Sequence, residues 1–292
     1  MIRLDAASVL LQWAVGGLLF LWVTTRRREV GIGYGWLLRA TYLLVAGAAV
    51  VVGRLYEPAT ARDLASTGVV VAAAAALVVS VLRRRAGVAS ERDRLERRSV
   101  RVAAMTGIDR QPGGSDGGVP DGGAAEFPPV LDLVAPLVGV VGLVAAGVDA
   151  AGGGGGAAAL SVGRTLVGAA FLGSVSDAML LGHWYLVQPG LARGPLLEQI
   201  RWLGRVWPCE VALLLVPTGM VSVLSGRIED GYNGLLGWFL VACAITTIVL
   251  VGVTRAALRE RAYSAVMAAT GLLYLAILTA FGTDLVARAL LS

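Results

Sequence analysis

The sequence predicts an all-α, polytopic integral membrane protein with about eight transmembrane helices. Hydrophobic residues make up 57% of the 292 residues and charged residues only 15%, and the mean hydropathy is +0.74. Soluble proteins devote about 25% of their residues to charge, so this chain cannot cover its apolar surface in water. The apolar residues also fall into separate stretches of about 20 residues, the length that crosses a bilayer as a helix. The lipid bilayer is therefore the expected environment and main partner.

Eight apolar segments have the length and composition of transmembrane spans. The first is followed by TTRRR instead of a small-residue cleavage site, so we interpret it as an uncleaved span and not as a signal peptide. A GGGGG run between the fourth and fifth spans follows no strand and precedes no GK[ST] motif, so it is expected to be a turn. The spans cover roughly residues 7–24, 37–54, 65–82, 129–149, 163–187, 207–226, 234–254 and 263–285.

All 25 basic residues are arginine, and their distribution predicts the orientation of the spans. If the loops after the first, third, fifth and seventh spans are cytoplasmic, those loops hold 19 of the 25 arginines. The positive-inside rule then places both termini outside, an N-out/C-out topology. Because the arginines follow the loops and form no single patch, we expect no nucleic-acid partner. The arginine, alanine and glycine bias is typical of a GC-rich genome, so we expect the bacterial inner (cytoplasmic) membrane.

One long hydrophilic segment divides the chain. Residues 1–83 hold the first three spans, residues 84–128 form a cytoplasmic linker, and residues 129–292 hold the other five spans. The linker begins with the basic stretch SERDRLERRSVRVAAM, which carries a helix-capping signal, and continues with a Gly- and Pro-rich stretch typical of disorder. The basic helix either contacts anionic lipid headgroups or simply anchors the third span on the cytoplasmic side.

The fifth span carries an unusual set of polar residues in the sequence SDAMLLGHWYLVQPGL. Asp177 lies about ten residues before the end of the span, where a charge costs roughly 2.5–3.5 kcal/mol on insertion scales. His183, the single histidine of the chain, follows on the same helix. The two side chains would point about 120° apart and differ by about 9 Å in height, so they are not expected to pair. Ser176 shares the face of His183, and Gln188 shares that of Asp177.

Glu210 is a second candidate residue. It follows Pro208 at the predicted start of the sixth span, where proline and a carboxylate suit the first helical turn. Because the fifth span ends and the sixth begins on the same side, we expect Glu210 and His183 at similar depth. The alternatives are a helix-terminal Glu210 paired with a loop arginine, a helix–helix contact for Asp177, and an interfacial role for Tyr185. The candidate polar cluster is therefore Asp177, His183, Tyr185 and Glu210, with Ser176, Gln188, Arg201 and Arg205 as possible partners.

The sequence predicts no cofactor and no metal site. A bis-histidine haem needs two histidines, which leaves only a haem held by His183 and a methionine such as Met267. Cys209 and Cys243 fall in different spans and are expected to be buried thiols and not metal ligands. The motif HExxH, and GxSxG with a second histidine, are absent from the sequence, so an enzymatic function is not favoured.

Three functional hypotheses follow, in order of preference. The first is a non-catalytic or accessory subunit of a membrane assembly, such as a respiratory one, and it would have other membrane subunits as partners. The second is a proton-coupled small-molecule transporter or permease that uses Asp177, His183 and Glu210. The third is a membrane redox or lipid enzyme in which His183 is a ligand or an acid/base group. The sequence predicts no particular substrate for any of them.

Overall fold

The computed structural model describes residues 5–83, 127–152, 155–188, 191–215, 233–260 and 262–291. Within these ranges the chain forms α-helices, one 3₁₀ turn and short connections, and no strand. Seven helices of the described part are long and apolar enough to cross a membrane. The expectation of an all-α, multi-pass membrane protein is therefore confirmed. The eighth span and the N-out/C-out orientation remain predictions.

The described part of the chain contains eight α-helices. Asp5 caps the first one, because its carboxylate accepts hydrogen bonds from the backbone N–H groups of Ala7 at 2.9 Å and Ser8 at 3.3 Å. A 3₁₀ turn, Pro129–Leu133, leads directly into the fourth. The helices are α1 (Ala6–Thr25), α2 (Ile32–Tyr56), α3 (Thr60–Leu82), α4 (Val134–Ala151), α5 (Gly155–Val187), α6 (Gly194–Leu215), α7 (Leu235–Ala257) and α8 (Tyr263–Leu291).

The sixth predicted span differs most from the structure. We expected it to begin at residue 207, but α6 begins at Gly194, and Pro208 lies inside the helix. The expected place of Glu210 in a first helical turn is therefore wrong, because about four turns of helix precede it. The sequence GPLLEQIRWLGRV was missed because it is amphipathic: it is too charged to read as a span, yet Leu196, Ile200 and Leu203 are buried. Residues 216–226 lie outside the described residues.

Helices α1 and α5 form the centre of the bundle. Within the most apolar 18-residue stretch of each helix, 67% of the residues of α1 and 72% of those of α5 are buried. The corresponding share is 28–39% in the other membrane-length helices of the described chain. A Cβ added to Gly16 would lie 1.8 Å from the carbonyl oxygen of Ala169. One added to Gly173 would lie 2.1 Å from the carbonyl carbon of Gly16. The two backbones are therefore in direct contact, which small residues permit where membrane helices cross.

The remaining helices surround this central pair. Helices α2 and α4 pack against α1, and α4, α6 and α8 pack against α5, while α3 contacts α2 and α4 and α7 contacts α8. Helices from both sides of the predicted linker are thus interleaved, whereas the linker itself, up to residue 126, lies outside the described residues. The outward faces carry many exposed leucine and valine side chains, as lipid contact requires.

We name the two ends of the bundle after the ends of α1, the Asp5 end and the Arg26 end. Ion pairs hold the Arg26 end together. Arg39 on α2 binds Asp132 in the 3₁₀ turn through two hydrogen bonds of 2.7 Å, and both side chains are buried. Arg26 also pairs with Glu198 on α6. Because a buried charge is costly without its partner, these pairs tie α1, α2, α6 and the 3₁₀ turn to one another.

Replacing Gly16 by alanine is expected to lower the free energy of unfolding by about 2 kcal/mol or more, because the added methyl group overlaps the backbone of α5. Gly47→Ala in α2 is the matched control, since nothing lies within 4 Å of a Cβ at Gly47. Thermal unfolding of the purified protein in detergent measures both variants. Equal midpoints for the two variants would contradict the close crossing of α1 and α5.

Candidate functional site

The structure separates the residues of the predicted polar cluster. His183 is exposed on α5, and its Nδ1 lies 3.0 Å from the hydroxyl oxygen of Tyr274 on α8. Asp177 is fully buried on another face of α5, as their angular separation requires. Glu210 lies opposite Gly168, about 22 Å from His183 along the axis of α5. The expectation that Glu210 and His183 lie at similar depth is therefore wrong, because α6 begins earlier than predicted.

Two further residues of the predicted cluster make contacts inside the bundle. The hydroxyl group of Tyr185, which is 3% exposed, donates a hydrogen bond to the backbone carbonyl of Ala192 in the connection to α6. The hydroxyl oxygen of Ser176 accepts a hydrogen bond of 2.8 Å from the indole N–H of Trp13 on α1. These contacts tie α5 to its neighbours, and neither one brings its residue to Asp177 or Glu210.

The other predicted partners lie towards the surface of the bundle. Gln188 accepts a hydrogen bond of 3.1 Å from the indole N–H of Trp184, one turn earlier. Arg201 is exposed and donates to the backbone carbonyl of Leu197 at 3.1 Å. Arg205 is exposed too, and its guanidinium lies 5.6 Å from the ring centroid of Trp202. Arg201 lies about two helical turns from the start of α6 and Arg205 about three, whereas Glu210 lies further along the helix.

Asp177 is held between α5 and α2. The hydroxyl group of Tyr42 on α2 donates to Oδ1 of Asp177, and that of Tyr34 donates to its backbone carbonyl at 3.4 Å. The ring of Tyr42 can cross α1 because residue 17 is glycine, where a Cβ would lie 2.0 Å from the ring. Oδ2 of Asp177 has no hydrogen-bond partner among the described residues. We call Asp177, Tyr34 and Tyr42 the aspartate site.

Glu210 belongs to a charged cluster nearer the Asp5 end. Side chains from α1, α6 and α8 converge on Gly168 of α5. A Cβ added at Gly168 would lie 3.0 Å from Nε2 of Gln12, 3.2 Å from Oδ1 of Asp284 and 3.7 Å from Oε1 of Glu210. Arg288 connects the group, because its Nε donates to Oδ2 of Asp284 at 2.8 Å and its Nη2 donates to the amide oxygen of Gln12. We call Gln12, Glu210, Asp284 and Arg288 the glutamate cluster.

The glutamate cluster is deeply buried but incompletely hydrogen-bonded. Each of its four side chains is exposed by 3% or less. Arg288 and Arg164 both attract Glu210, while Asp284 repels it. Oε2 of Glu210 nevertheless has no hydrogen-bond partner in the part of the chain that the structure describes. A buried carboxyl oxygen without a donor is a poor structural element, so this atom is a candidate for proton or ligand binding.

A cavity of about 310 Å³ at the Asp5 end reaches this cluster. Its rim includes the exposed residues Glu57 and Asp149, and its inner wall includes the buried residues Thr165 and Arg288. The backbone carbonyl of Thr165 accepts a hydrogen bond of 2.6 Å from Nε2 of Gln12. A molecule in this cavity, which we call the pocket, would therefore touch Arg288 and a backbone group that is bonded to the glutamate cluster.

Sequence reasoning missed most of the glutamate cluster. Asp284 and Arg288 are four residues apart, the spacing of an ion pair on one helix face, and they could have been found from that signal. Gln12 interrupts an otherwise apolar stretch of the first span and was a weaker signal. What the sequence does not contain is the adjacency of α1, α6 and α8, which brings these residues to Glu210.

The chain matches no protein-family model, no curated protein and no solved structure. Any functional conclusion therefore depends on its own side chains. Among the described residues, no three His, Cys, Asp or Glu side chains are grouped so that they could hold a metal ion. Two buried carboxyl groups remain, each with one oxygen that has no hydrogen-bond partner in the described ranges, together with the charged pocket that reaches Arg288 beside one of them.

Replacing Tyr42 by phenylalanine is expected to lower the free energy of unfolding by about 1–3 kcal/mol, because Asp177 loses its hydrogen-bond donor. Asp177→Asn should lower the free energy of unfolding by less in the Tyr42→Phe variant than in the wild type, since the tyrosine hydroxyl and the aspartate carboxylate act as a pair. Tyr56→Phe is the control, because Tyr56 is 78% exposed. Strictly additive losses in the Tyr42/Asp177 double-mutant cycle would contradict the aspartate site.

Proposed function

We propose that the protein is a proton-coupled transporter of a small polar solute, the second of the three hypotheses drawn from the sequence. The observation that supports this proposal best is the pocket, which leads from the Asp5 end to Arg288 of the glutamate cluster. A solute bound there would contact a charged network in the interior of an apolar bundle. In membrane proteins such buried ionisable groups mark solute and proton pathways.

The pocket suits a small polar molecule. Its volume of about 310 Å³ is at the low end of the range of ligand pockets, which is roughly 300–1,000 Å³. Carboxylates line the rim, and a guanidinium and a threonine line the inner wall. A lipid tail would desolvate these groups without hydrogen-bonding to them, which is unfavourable, whereas a polar solute replaces the water it displaces.

Two carboxyl groups provide positions for a transported proton. Glu210 and Asp177 are each buried, and each has one oxygen without a hydrogen-bond donor among the described residues. A proton on Oε2 of Glu210 changes the charge beside Arg288, and this change would couple protonation to solute binding in the pocket. Asp177 lies about 14 Å further along α5, towards the Arg26 end, and would accept a proton on the opposite side of the central helix pair.

Transport also requires that the pocket open in turn towards the other side of the membrane. Here the pocket lies at the Asp5 end, while the Arg39–Asp132 and Arg26–Glu198 pairs hold the Arg26 end together. These pairs link α1, α2, α6 and the 3₁₀ turn, so breaking them would free those elements to separate. We therefore assign them the role of a gate in the proposed transport cycle.

The accessory-subunit hypothesis is the second candidate, and one observation favours it. His183 and Tyr274 form a hydrogen-bonded pair on the outer surface of α5 and α8, and both residues are exposed. Exposed polar groups on a membrane helix suit a contact with another membrane subunit. Purification in mild detergent would test this candidate, because it predicts stoichiometric partners that are lost in a His183→Leu variant.

The enzyme hypothesis depended on His183, and it has less support from the structure than the transporter hypothesis has. His183 lies on the outer surface of α5, while the pocket lies at the Asp5 end and is lined by Thr165 and Arg288. The haem hypothesis pairs His183 with Met267, which is 54% exposed on α8. Both side chains face outwards, so such a haem would lie at the surface of the bundle.

Glu210→Gln is expected to abolish proton movement that is driven by a solute gradient, with at least about a ten-fold loss of rate, because the amide cannot carry a proton. The measurement uses proteoliposomes that contain a trapped pH-sensitive dye. They are challenged in turn with an amino acid, a diamine and a dicarboxylic acid. The wild-type protein should change the internal pH with at least one of these solutes.

Glu260→Gln is the control, since Glu260 lies in the exposed connection between α7 and α8, away from the glutamate cluster. This variant should move protons at the wild-type rate. Proton movement that persists unchanged in Glu210→Gln would contradict the role of Glu210. A wild-type protein that changes the internal pH with none of the solutes would contradict the transporter itself.

A further inference from the structure

The outer face of α6 carries two exposed arginines without a counter-charge. Arg201 and Arg205 are four residues apart, so they lie on the same face of the helix. The guanidinium of Arg201 donates to the backbone carbonyl of Leu197 at 3.1 Å, and that of Arg205 lies 5.6 Å from the ring centroid of Trp202. Within the described ranges neither guanidinium is paired with a carboxylate. Both groups are therefore available to an anion from outside the protein.

The two side chains extend towards the Arg26 end of the bundle. Helix α6 begins at this end, where its Glu198 pairs with Arg26. Side chains on an α-helix lean towards the helix N-terminus. The contacts agree, because each guanidinium touches a residue three or four positions earlier on α6. The positive charges of Arg201 and Arg205 thus lie closer to the end of the bundle than their Cα atoms do.

Positive charge is in excess where α1 ends and α6 begins. Arg26 and Arg27 share one carboxylate, that of Glu198, and Arg27 keeps 56% of its side chain exposed. The carboxylate of Glu29 faces the start of α6, since a Cβ added to Gly194 would lie 3.4 Å from its Oε2. The two exposed arginines of α6 add further positive charge. We call Arg26, Arg27, Arg201 and Arg205 the arginine face.

Tryptophan side chains accompany these arginines. The guanidinium of Arg26 lies 5.2 Å from the ring centroid of Trp22, and Trp202 packs edge-on against Phe20 with 6.3 Å between the ring centroids. Both tryptophans are partly exposed. Tryptophan is enriched at the level where lipid headgroups meet acyl chains. A phospholipid fits this place better than a free anion, because it covers the indole rings as well as neutralising the arginines.

We infer that the arginine face binds the headgroup of an anionic phospholipid, with the phosphate between Arg201 and Arg205. Phosphate oxygens accept charge-assisted hydrogen bonds from guanidinium groups. A zwitterionic lipid would also bring a cation towards the same arginines, which opposes its binding. The Arg26 end is predicted to be cytoplasmic, the side on which anionic lipids attract basic segments. This inference does not depend on the proposed transport.

Lipid binding to the purified full-length protein in a non-ionic detergent tests the inference. The probes are phosphatidylglycerol (anionic), phosphatidylcholine (zwitterionic) and glycerol 3-phosphate, which offers a phosphate without acyl chains. The readout is the rise in thermal unfolding midpoint, since a ligand that binds the folded state raises it. We expect phosphatidylglycerol to give a half-maximal rise at a concentration about ten-fold or more below that of either other probe.

A double variant assigns the binding to the arginine face. Arg201→Gln combined with Arg205→Gln should raise the half-maximal concentration of phosphatidylglycerol about ten-fold, because two charges beside the headgroup are lost. Both residues are exposed, so the midpoint without lipid should stay close to that of the wild type. Arg54→Gln is the matched control, since Arg54 is an exposed arginine in the last turn of α2, at the Asp5 end. This variant should bind phosphatidylglycerol as the wild type does.

Four results would overturn the inference. The first is an unchanged half-maximal concentration in the double variant, and the second is an equal response to phosphatidylglycerol and phosphatidylcholine. The third is binding of glycerol 3-phosphate as tightly as phosphatidylglycerol, which would assign the arginines to a soluble phosphate compound. The fourth is a wild-type dimer that becomes a monomer in the double variant, measured by light scattering, because the arginine face would then be an interface between two copies of the chain.

Discussion

The contact between the backbones of α1 and α5 at Gly16 and Gly173 is the constraint on which the rest of the structure depends. It brings the two most buried helices so close that side chains cannot lie between them at the crossing. On either side of the crossing, polar side chains bind between α1 and α5, as Trp13 does to Ser176, or contact the outer helices. On one side Tyr42 crosses the surface of α1 at Gly17 to reach Asp177. On the other side Gln12 reaches α5 and the glutamate cluster.

This arrangement explains why two buried carboxyl groups lie in one apolar bundle without being neighbours. Each is supported by side chains from other helices, and each keeps one oxygen that has no hydrogen-bond donor among the residues that the structure describes. A structural ion pair would be expected to satisfy both oxygens, as the Arg39–Asp132 pair at the Arg26 end does. The contrast between the complete pair and the two incomplete groups is the physical reason for assigning the incomplete ones to proton and solute binding.

The sequence predicted the helical membrane fold and the separation of Asp177 from His183, because hydropathy and helical periodicity depend on local residues alone. The start of α6 was missed, since GPLLEQIRWLGRV is amphipathic and hydropathy does not identify an amphipathic helix as a span. The partners of Glu210 were missed for a different reason. Gln12, Asp284 and Arg288 lie far from it in the chain, and no periodicity reveals which helices are adjacent.

The central claim is that a water-filled pocket enters the bundle from the Asp5 end and reaches its buried charges. Thr165→Cys, in a protein that also carries Cys209→Ala and Cys243→Ala, tests it most directly. A membrane-impermeant maleimide added to intact cells should label this cysteine, because Thr165 lines the pocket and the Asp5 end is predicted to face outwards. A cysteine at Ala178, which is fully buried on α5, should stay unlabelled. Equal resistance of both positions to the reagent would contradict the account.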